Sequence, residues 1–358
     1  MLGRNETRRE SSVTEGKKVL AVVEKGWGPK LTGNLAAYSN ASKGTLLVGE
    51  IQAWMIKEHA KPSNRRQDII HPSEMAKTDW CPRGTYYRIA ACREASNPFL
   101  KPPEYVGVQL LNIFDEGHMI HTKWQNRLRD MGLLWGNWEC HTCGYVTKSH
   151  LFEAGQFCEH CERSGGVDIY REVPLRAEQY LISGHADGAI PHLDALIEIK
   201  SVGAGTVRIE APEVYEANSD GQKIYLQGLW KDIKEPFPSH VRQGQLYLRL
   251  CNIMGLSFDQ IIFIYEAKFN QGVKEFVVKY DPEYCDEMLG FCDAIVVGLE
   301  MGVAPICITG SSCKDCEKYG NEKSSSTERV GTGEDRLTSP STPLRRPAGT
   351  SGRVVRPS

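Results

Sequence analysis

Residues 183–201 read SGHADGAIPHLDALIEIKS, which sets two acids, a lysine and a histidine into the strand runs of what is otherwise the pattern of an apolar β-hairpin. The flanking runs are rich in Ile, Leu and Ala, and Pro191, His192, Leu193 and Asp194 between them are turn chemistry, so two antiparallel strands are expected. With those four residues as the loop, Ile190 pairs with Ala195, Asp187 falls opposite Glu198, and His185 falls opposite Lys200. Side chains alternate faces along a strand, so the four polar groups share one face and Ala195, Ile197 and Ile199 line the other. Directly opposed residues have Cβ atoms about 5 Å apart, and like charges at that distance destabilise a sheet. A cation between the acids removes the conflict. Hard divalent ions such as Mg²⁺ take carboxylate oxygens and keep several waters, and Lys200 on the same face is placed to orient or deprotonate a metal-bound water. A solvated sheet face with an incidental ion pair is the alternative that these letters leave open.

The cysteines are the second constraint. The N-terminal MLGRNETRRESSVTEGKK is charged without an apolar stretch, and no run approaches the length of a membrane span, so a cytoplasmic protein without membrane contact is expected. In that compartment its 12 cysteines read as metal ligands or buried thiols rather than disulfides. CHTC at 140–143 and CEHC at 158–161 form two knuckles, the signature of a tetrahedral zinc site on Cys140, Cys143, Cys158 and Cys161. Cys307, Cys313 and Cys316 form a second group that needs a fourth ligand. Cys92, Cys251, Cys285 and Cys292 lie in apolar helical contexts and are expected in the core.

A hydrophobic content of 41% supplies a core, and a net charge of −2 excludes a global basic field, so any nucleic-acid surface is local. Residues 1–65 are an extension without a clear pattern, 66–319 the main domain, 138–166 a cysteine-rich insert within it, and 320–358 a tail expected to be disordered, rich in Ser, Thr, Gly, Pro and Arg. The spacing of Ile113, Ile120, Trp124, Leu128 and Met131 predicts an amphipathic helix over 112–131, with His118 and His121 on adjacent turns. GVDIYREVPL reads as one strand, 203–240 as irregular, and SHVRQGQLYLRLCNIMG as a helix with Gln243 and Tyr247 on one face. DQIIFIYEAKF and VKEFVVKYD read as a hairpin, and a last helix starts at Asp281–Pro282 and ends near Gly302.

In order, a helix histidine, the Asp of GHADG, EIK and QGQLY resemble the motifs of PD-(D/E)XK nucleases of the RecB type, above all the CRISPR-associated and phage-encoded exonucleases of that group. The resemblance covers about residues 70–316. It implies an α/β, restriction-endonuclease-like fold: a mixed central sheet flanked by helices, here with a zinc-ribbon-like insert. It implies that His121, Asp187, Glu198 and the peptide oxygen of Ile199 hold Mg²⁺ or Mn²⁺, and that Lys200 is the catalytic lysine. Gln243 and Tyr247 match the motif that positions DNA or that lysine. The iron–sulfur members imply a [4Fe–4S] cluster on Cys81, in WCPRGTYYR, with Cys307, Cys313 and Cys316. Two features depart from the group: the late cysteines are spaced five residues and then two, the reverse of the usual order, and the insert is not general to it.

His118 is the alternative ligand to His121. His185 is expected to contact phosphate or support the site, and Glu172 to add a carboxylate. Arg83 and Arg88, with Arg93, Tyr86 and Tyr87, suit a groove that follows a DNA backbone, with a solvated basic helix face as the alternative. The expected function is metal-dependent exonucleolytic hydrolysis of DNA, at ends or on single strands, in DNA processing, recombination or repair. The alternatives are a structure-specific endonuclease and a non-catalytic DNA-binding adaptor.

Overall fold

The computed structural model describes residues 47–61, 64–100, 106–148, 150–221, 223–309, 313 and 316. The expected disordered tail, and most of the N-terminal extension, lie outside the described residues. The described residues begin with helices α1 (Val48–His59), α2 (Pro72–Met75), α3 (Pro82–Glu94) and α4 (Val108–Asp130). Nine strands follow: β1 (Trp135–Cys140), β2 (His150–Leu151), β3 (Phe157–Cys158), β4 (Arg163–Ser164), β5 (Val167–Arg171), β6 (Pro174–Ala177), β7 (Ile182–His185), β8 (Gly188–Ile190) and β9 (Ala195–Val202). Helices α5 (Ala204–Glu210), α6 (Pro212–Ala217), α7 (Leu226–Asp232) and α8 (Pro238–Ile253) lead to β10 (Gln260–Ala267), β11 (Val273–Lys279) and α9 (Pro282–Met301).

The architecture is the expected mixed α/β one. The central sheet runs β11-β10-β9-β8-β1-β2, with β5 also paired to β1. Only β9 and β10 pair in parallel in this sheet. A parallel pair needs a crossover, and the three short helices and α8 supply it, so 203–240 is helical rather than irregular. One face of the sheet, with Leu196, Val202, Ile261, Phe263 and Tyr265, packs under α3, α8 and α9. The other, with Ala195, Ile197, Ile199, Ile262 and Ile264, meets Ile120 and Leu128 of α4 and Trp138, Cys140 and Cys158 of the insert. Burial on both faces explains why β9 and β10 read as nearly continuous apolar runs.

The hairpin register is as expected: Ile190 pairs with Ala195 and Gly188 with Ile197 across a 3-10 turn at Pro191–Leu193. The first strand, however, is not continuous. It breaks at Ala186–Asp187, and β7 pairs instead with β6, His185 opposite Pro174. The cause is local. The Ile199 amide donates to the Asp187 carboxylate at 2.6 Å, so a side chain replaces the next rung of the ladder. GVDIYREVPL is likewise divided, β5 joining the central sheet and β6 the small one. The predicted 112–131 helix is α4, although Ile113 and Met131 at its two ends are exposed. Cys92, Cys251, Cys285 and Cys292 are buried as expected. The last helix is capped by the Asp281 side chain, which accepts from the Tyr284 amide, and ends at Gly302 with φ +70°.

Helix α8 lies close on the sheet because Gly244 has no side chain; a Cβ there would meet Phe263 at 2.8 Å and Ile261 at 3.1 Å. Gly290 in α9 is exposed and meets nothing within 4 Å. Gly244→Ala is therefore expected to destabilise the protein by about 1–3 kcal/mol through overpacking. Gly290→Ala should stabilise it by about 0.5–1 kcal/mol through helix propensity. Thermal unfolding of the two variants checks the opposite signs.

Candidate active site

Asp187 sits where β8 parts from β9, and its side chain is buried. One carboxylate oxygen accepts from the Ile199 amide, and the other meets His121 Nδ1 of α4 at 3.0 Å. Four residues further along α4, Gln125 Nε2 donates to the Asp187 carbonyl at 3.0 Å and to Glu172 at 3.1 Å. Glu172 lies between β5 and β6, so this contact brings a third carboxylate to the cluster. Gln125 had been missed in the sequence, although the i, i+4 relation to His121 puts both on one helix face.

Glu198 follows on β9 and is 3% exposed. Its Oε1 accepts from Lys200 Nζ and Gln243 Nε2, each at 2.9 Å. Gln243 also accepts from Lys200 Nζ at 2.8 Å, and its amide donates to the Tyr247 hydroxyl at 2.8 Å. Gln243 and Tyr247 are successive turns of α8, so one helix face holds both the acid and the lysine. The other Glu198 oxygen, Oε2, is buried and meets no hydrogen-bond donor among the described residues. A buried carboxylate oxygen without a donor is costly, and an added cation is the group that would satisfy it.

The electrostatics follow from burial and proximity. Burial pushes Glu198 up to about 7, with the Asp187 charge adding to the rise and Lys200 opposing it. Burial, then Asp187, likewise raises Glu172 to about 7. Burial alone would lower His121, but the hydrogen bond and charge of Asp187, and then Glu198, outweigh it and hold the imidazole above its usual value.

Two expected residues are elsewhere. His118 is exposed on α4, away from this cluster, so His121 is the histidine that meets the acids. His185 is not opposite Lys200, because β7 pairs with β6 and leaves the central sheet. The basic and aromatic segment is the core helix α3, packed against α9. Arg88 is buried there, donating to the carbonyls of Gln67 and Ile69 and pairing with Glu74 at 3.0 Å, so it is not presented to a DNA backbone. Arg83 is half-buried and donates to the Pro305 carbonyl at 3.0 Å.

Both cysteine groups assemble: the one that the knuckle spacing implied, and the one in which the resemblance joins Cys81 to the three late cysteines. Within each group of four the sulfurs lie within 4.8 Å of one another. Cys140 Sγ is 3.7 Å from Cys161 Sγ, and Cys143 Sγ 3.7 Å from Cys158 Sγ. Both knuckles close on left-handed residues, Gly144 at φ +72° and Glu162 at φ +58°. Burial would raise the Cys140 thiol, but the amides of Cys143 and Thr142 outweigh it and lower it to about 6, whereas burial and the neighbouring thiols raise Cys161 to about 12. Cys81, before α3, is 3.6 Å from the sulfurs of Cys307 and Cys316.

No family model matches the sequence, and no curated protein matches it. Among solved structures, the alkaline exonuclease LHK-Exo from Laribacter hongkongensis is 12% identical, with a TM-score of 0.36, over 70% of this chain and 93% of its own. LHK-Exo in complex with dAMP is 12% identical, with a TM-score of 0.37, over 66% and 90%. SSO0001 is 14% identical, with a TM-score of 0.32, over 69% and 84%. Likenesses this distant carry neither a family nor an activity to this chain. No helix among the described residues is long and apolar enough to cross a membrane.

Glu198 and Glu172 hold their protons more tightly in the folded protein than the unfolded chain does. The stability they contribute is therefore complete below about 4.5, the unfolded value, and is lost as pH rises through about 7. Without added divalent metal, the melting temperature is expected to fall between about pH 5 and pH 8. Glu198→Gln should flatten that fall and melt at or above the parent at the alkaline end. Parallel melting curves for parent and variant would show Glu198 to be solvated.

Proposed function

We propose that this chain is a Mg²⁺- or Mn²⁺-dependent nuclease that hydrolyses DNA phosphodiester bonds, acting from ends or on single strands. The observation that carries the reading is the buried pair Asp187 and Glu198 beside Lys200, with one Glu198 oxygen meeting no donor among the described residues. His121, Asp187, Glu198 and the peptide oxygen of Ile199 would hold the ion, and Glu172 adds negative charge through Gln125. When bound, such an ion lowers the pKa of water and offsets charge on the phosphate. Asp187 and Glu198 bind and orient, and His121 fixes the direction of Asp187. Lys200 Nζ carries the proton nearest the reacting centre, and Gln243 holds it there by accepting one of its hydrogens. Tyr247 lies behind Gln243 and fixes the rotation of its amide.

End-labelled single- and double-stranded DNA, with and without Mn²⁺, provides the test. Asp187→Asn and Glu198→Gln should each slow cleavage by roughly 10³-fold or more, and abolish the rise in melting temperature that Mn²⁺ gives the parent. Lys200→Ala should slow cleavage by roughly 10²- to 10⁴-fold yet keep the Mn²⁺ response. Normal cleavage by either amide variant would refute the reading.

For the cysteines we infer two single-ion sites. Four thiolates at about 2.3 Å from one tetrahedral zinc stand about 3.8 Å apart, and the 3.7 Å separations of Cys140, Cys143, Cys158 and Cys161 fit that figure. The resemblance implies a [4Fe–4S] cluster on Cys81, Cys307, Cys313 and Cys316. Thiolates on four separate irons stand further apart than those on one ion. The close grouping of these sulfurs, with Cys81 at 3.6 Å from two of them, supports zinc instead. Protein purified anaerobically should be colourless and contain two zinc ions per chain without iron. A brown protein whose iron disappears with Cys81→Ser would restore the cluster.

A further inference from the structure

His121 and Gln125 of α4 turn toward Asp187, and two of the three residues between them, Lys123 and Trp124, turn toward another acid. Glu266 of β10 is 1% exposed. One of its oxygens pairs with Lys123 Nζ, and the other accepts from Trp124 Nε1 at 2.7 Å, so both are held by α4. Glu266 is paired in register with Ser201 of β9, and Ser201 Oγ lies 3.3 Å from where a Cβ of Gly117 would stand. Two residues past Glu266, Lys268 Nζ donates to the Ile113 carbonyl at 2.6 Å and approaches Glu116 at 3.5 Å. One end of β10 thus grips α4 along three turns.

The apolar contacts of Ile120 and Leu128 are not directional, so they hold α4 to the sheet without setting its rotation. A slip of one residue would turn the helix by about 100° and shift it by about 1.5 Å, enough to carry His121 away from Asp187. The α4 N-cap, Gly107, offers no side-chain hydrogen bond that would fix the register from that end. The directional bonds to Glu266 do so in the middle, within three residues of His121.

We propose that Glu266 is a positioning residue for the divalent-metal site: by holding Lys123 and Trp124 it sets the rotation and height of α4, and so presents His121 and Gln125 to Asp187. This rests on the metal-dependent reading of that site. Glu266 touches neither Asp187 nor Glu198, and it acts only through the helix.

Mn²⁺ affinity, measured by calorimetry on the full chain well below each variant's melting temperature, is the readout that a merely structural role would not move. Glu266→Ala is expected to weaken Mn²⁺ binding by roughly 10- to 100-fold, the range typical of residues that orient metal ligands. Glu266→Gln keeps an acceptor for Trp124 and leaves Lys123 without its counter-charge, so an intermediate loss is expected. The pair Lys123→Gln with Glu266→Gln removes both charges, keeps hydrogen-bonding groups, and should recover most of the affinity; it also keeps the test decisive should Glu266→Ala fail to fold. Histidine ¹⁵N spectra of the metal-free protein should show the His121 resonance altered in Glu266→Gln and restored in the pair. If the variants melt lower but bind Mn²⁺ like the parent, with His121 unchanged, the positioning role is overturned while the site reading stands. If the parent binds no Mn²⁺, or binds it equally well after Asp187→Asn, the site reading falls and this assignment with it.

Discussion

The bond from the Ile199 amide to the Asp187 carboxylate decides how the chain is laid out around the site. It ends the β8–β9 ladder and lets the chain before it leave for the β6–β7 pair. Consecutive residues of β9 face opposite sides, so Ile199 points toward α4 while Glu198 and Lys200 point toward α8. An acid gripped by the β9 backbone at the end of the β8–β9 ladder can therefore be reached from both layers. His121 and Gln125 arrive from one side, and Glu198, held by Gln243, lies on the other. A side chain inside a regular strand could face only one of those layers.

The cost of that arrangement is electrostatic. Glu198 is buried with one oxygen meeting no donor among the described residues, and its pKa rises because the folded protein solvates its charge worse than water does. Lys200 and Gln243 compensate one oxygen only. The protein could have removed the problem with an amide at 198, as an ordinary core would. Keeping an under-compensated carboxylate beside a second buried acid is the kind of local conflict that points to a candidate site rather than to an ordinary core. Gly244 contributes here as well, since the close approach it allows brings its neighbour Gln243 down onto Glu198.

What the sequence disclosed was local. The Pro191–Asp194 turn set the register of Ile190 against Ala195 and of Gly188 against Ile197, because a hairpin loop of known length leaves one pairing. The knuckles and the capped last helix were readable for the same reason. The break at Ala186–Asp187 was not, because it arises from a side chain replacing a backbone rung, and the letters either side still read as strand. The parallel pairing of β9 with β10 joins residues 65 positions apart, and nothing in either run names its partner. Arg88 misled because arginines interleaved with tyrosines look alike on a DNA-facing helix and on a core helix whose arginine ties down carbonyls. Glu266 reads as an ordinary strand acid until α4 is laid over it.

The insert is continuous with the site rather than hung beside it. Strand β1 pairs with β8 at Trp135–Ala189 and with β5 from Asn137–Arg171 to Cys140–Val167, so Cys140 marks the end of a ladder that starts in the central sheet. Tyr170 of β5 fills the space left by Gly136, where a Cβ would lie 2.4 Å from its ring, and packs on Trp138. The next residue but one is Glu172, the acid that Gln125 joins to Asp187. The strands near the knuckles are only two residues long and bury little apolar surface, so a metal on the four cysteines is what can hold that end of the β1–β5 ladder closed. Loosening it would leave β5 free to slide along β1, and a slide of one residue turns Tyr170 out of its slot and carries Glu172 away from Gln125. A metal bound at the knuckles would in this way bear on the acid cluster through the register of a single strand.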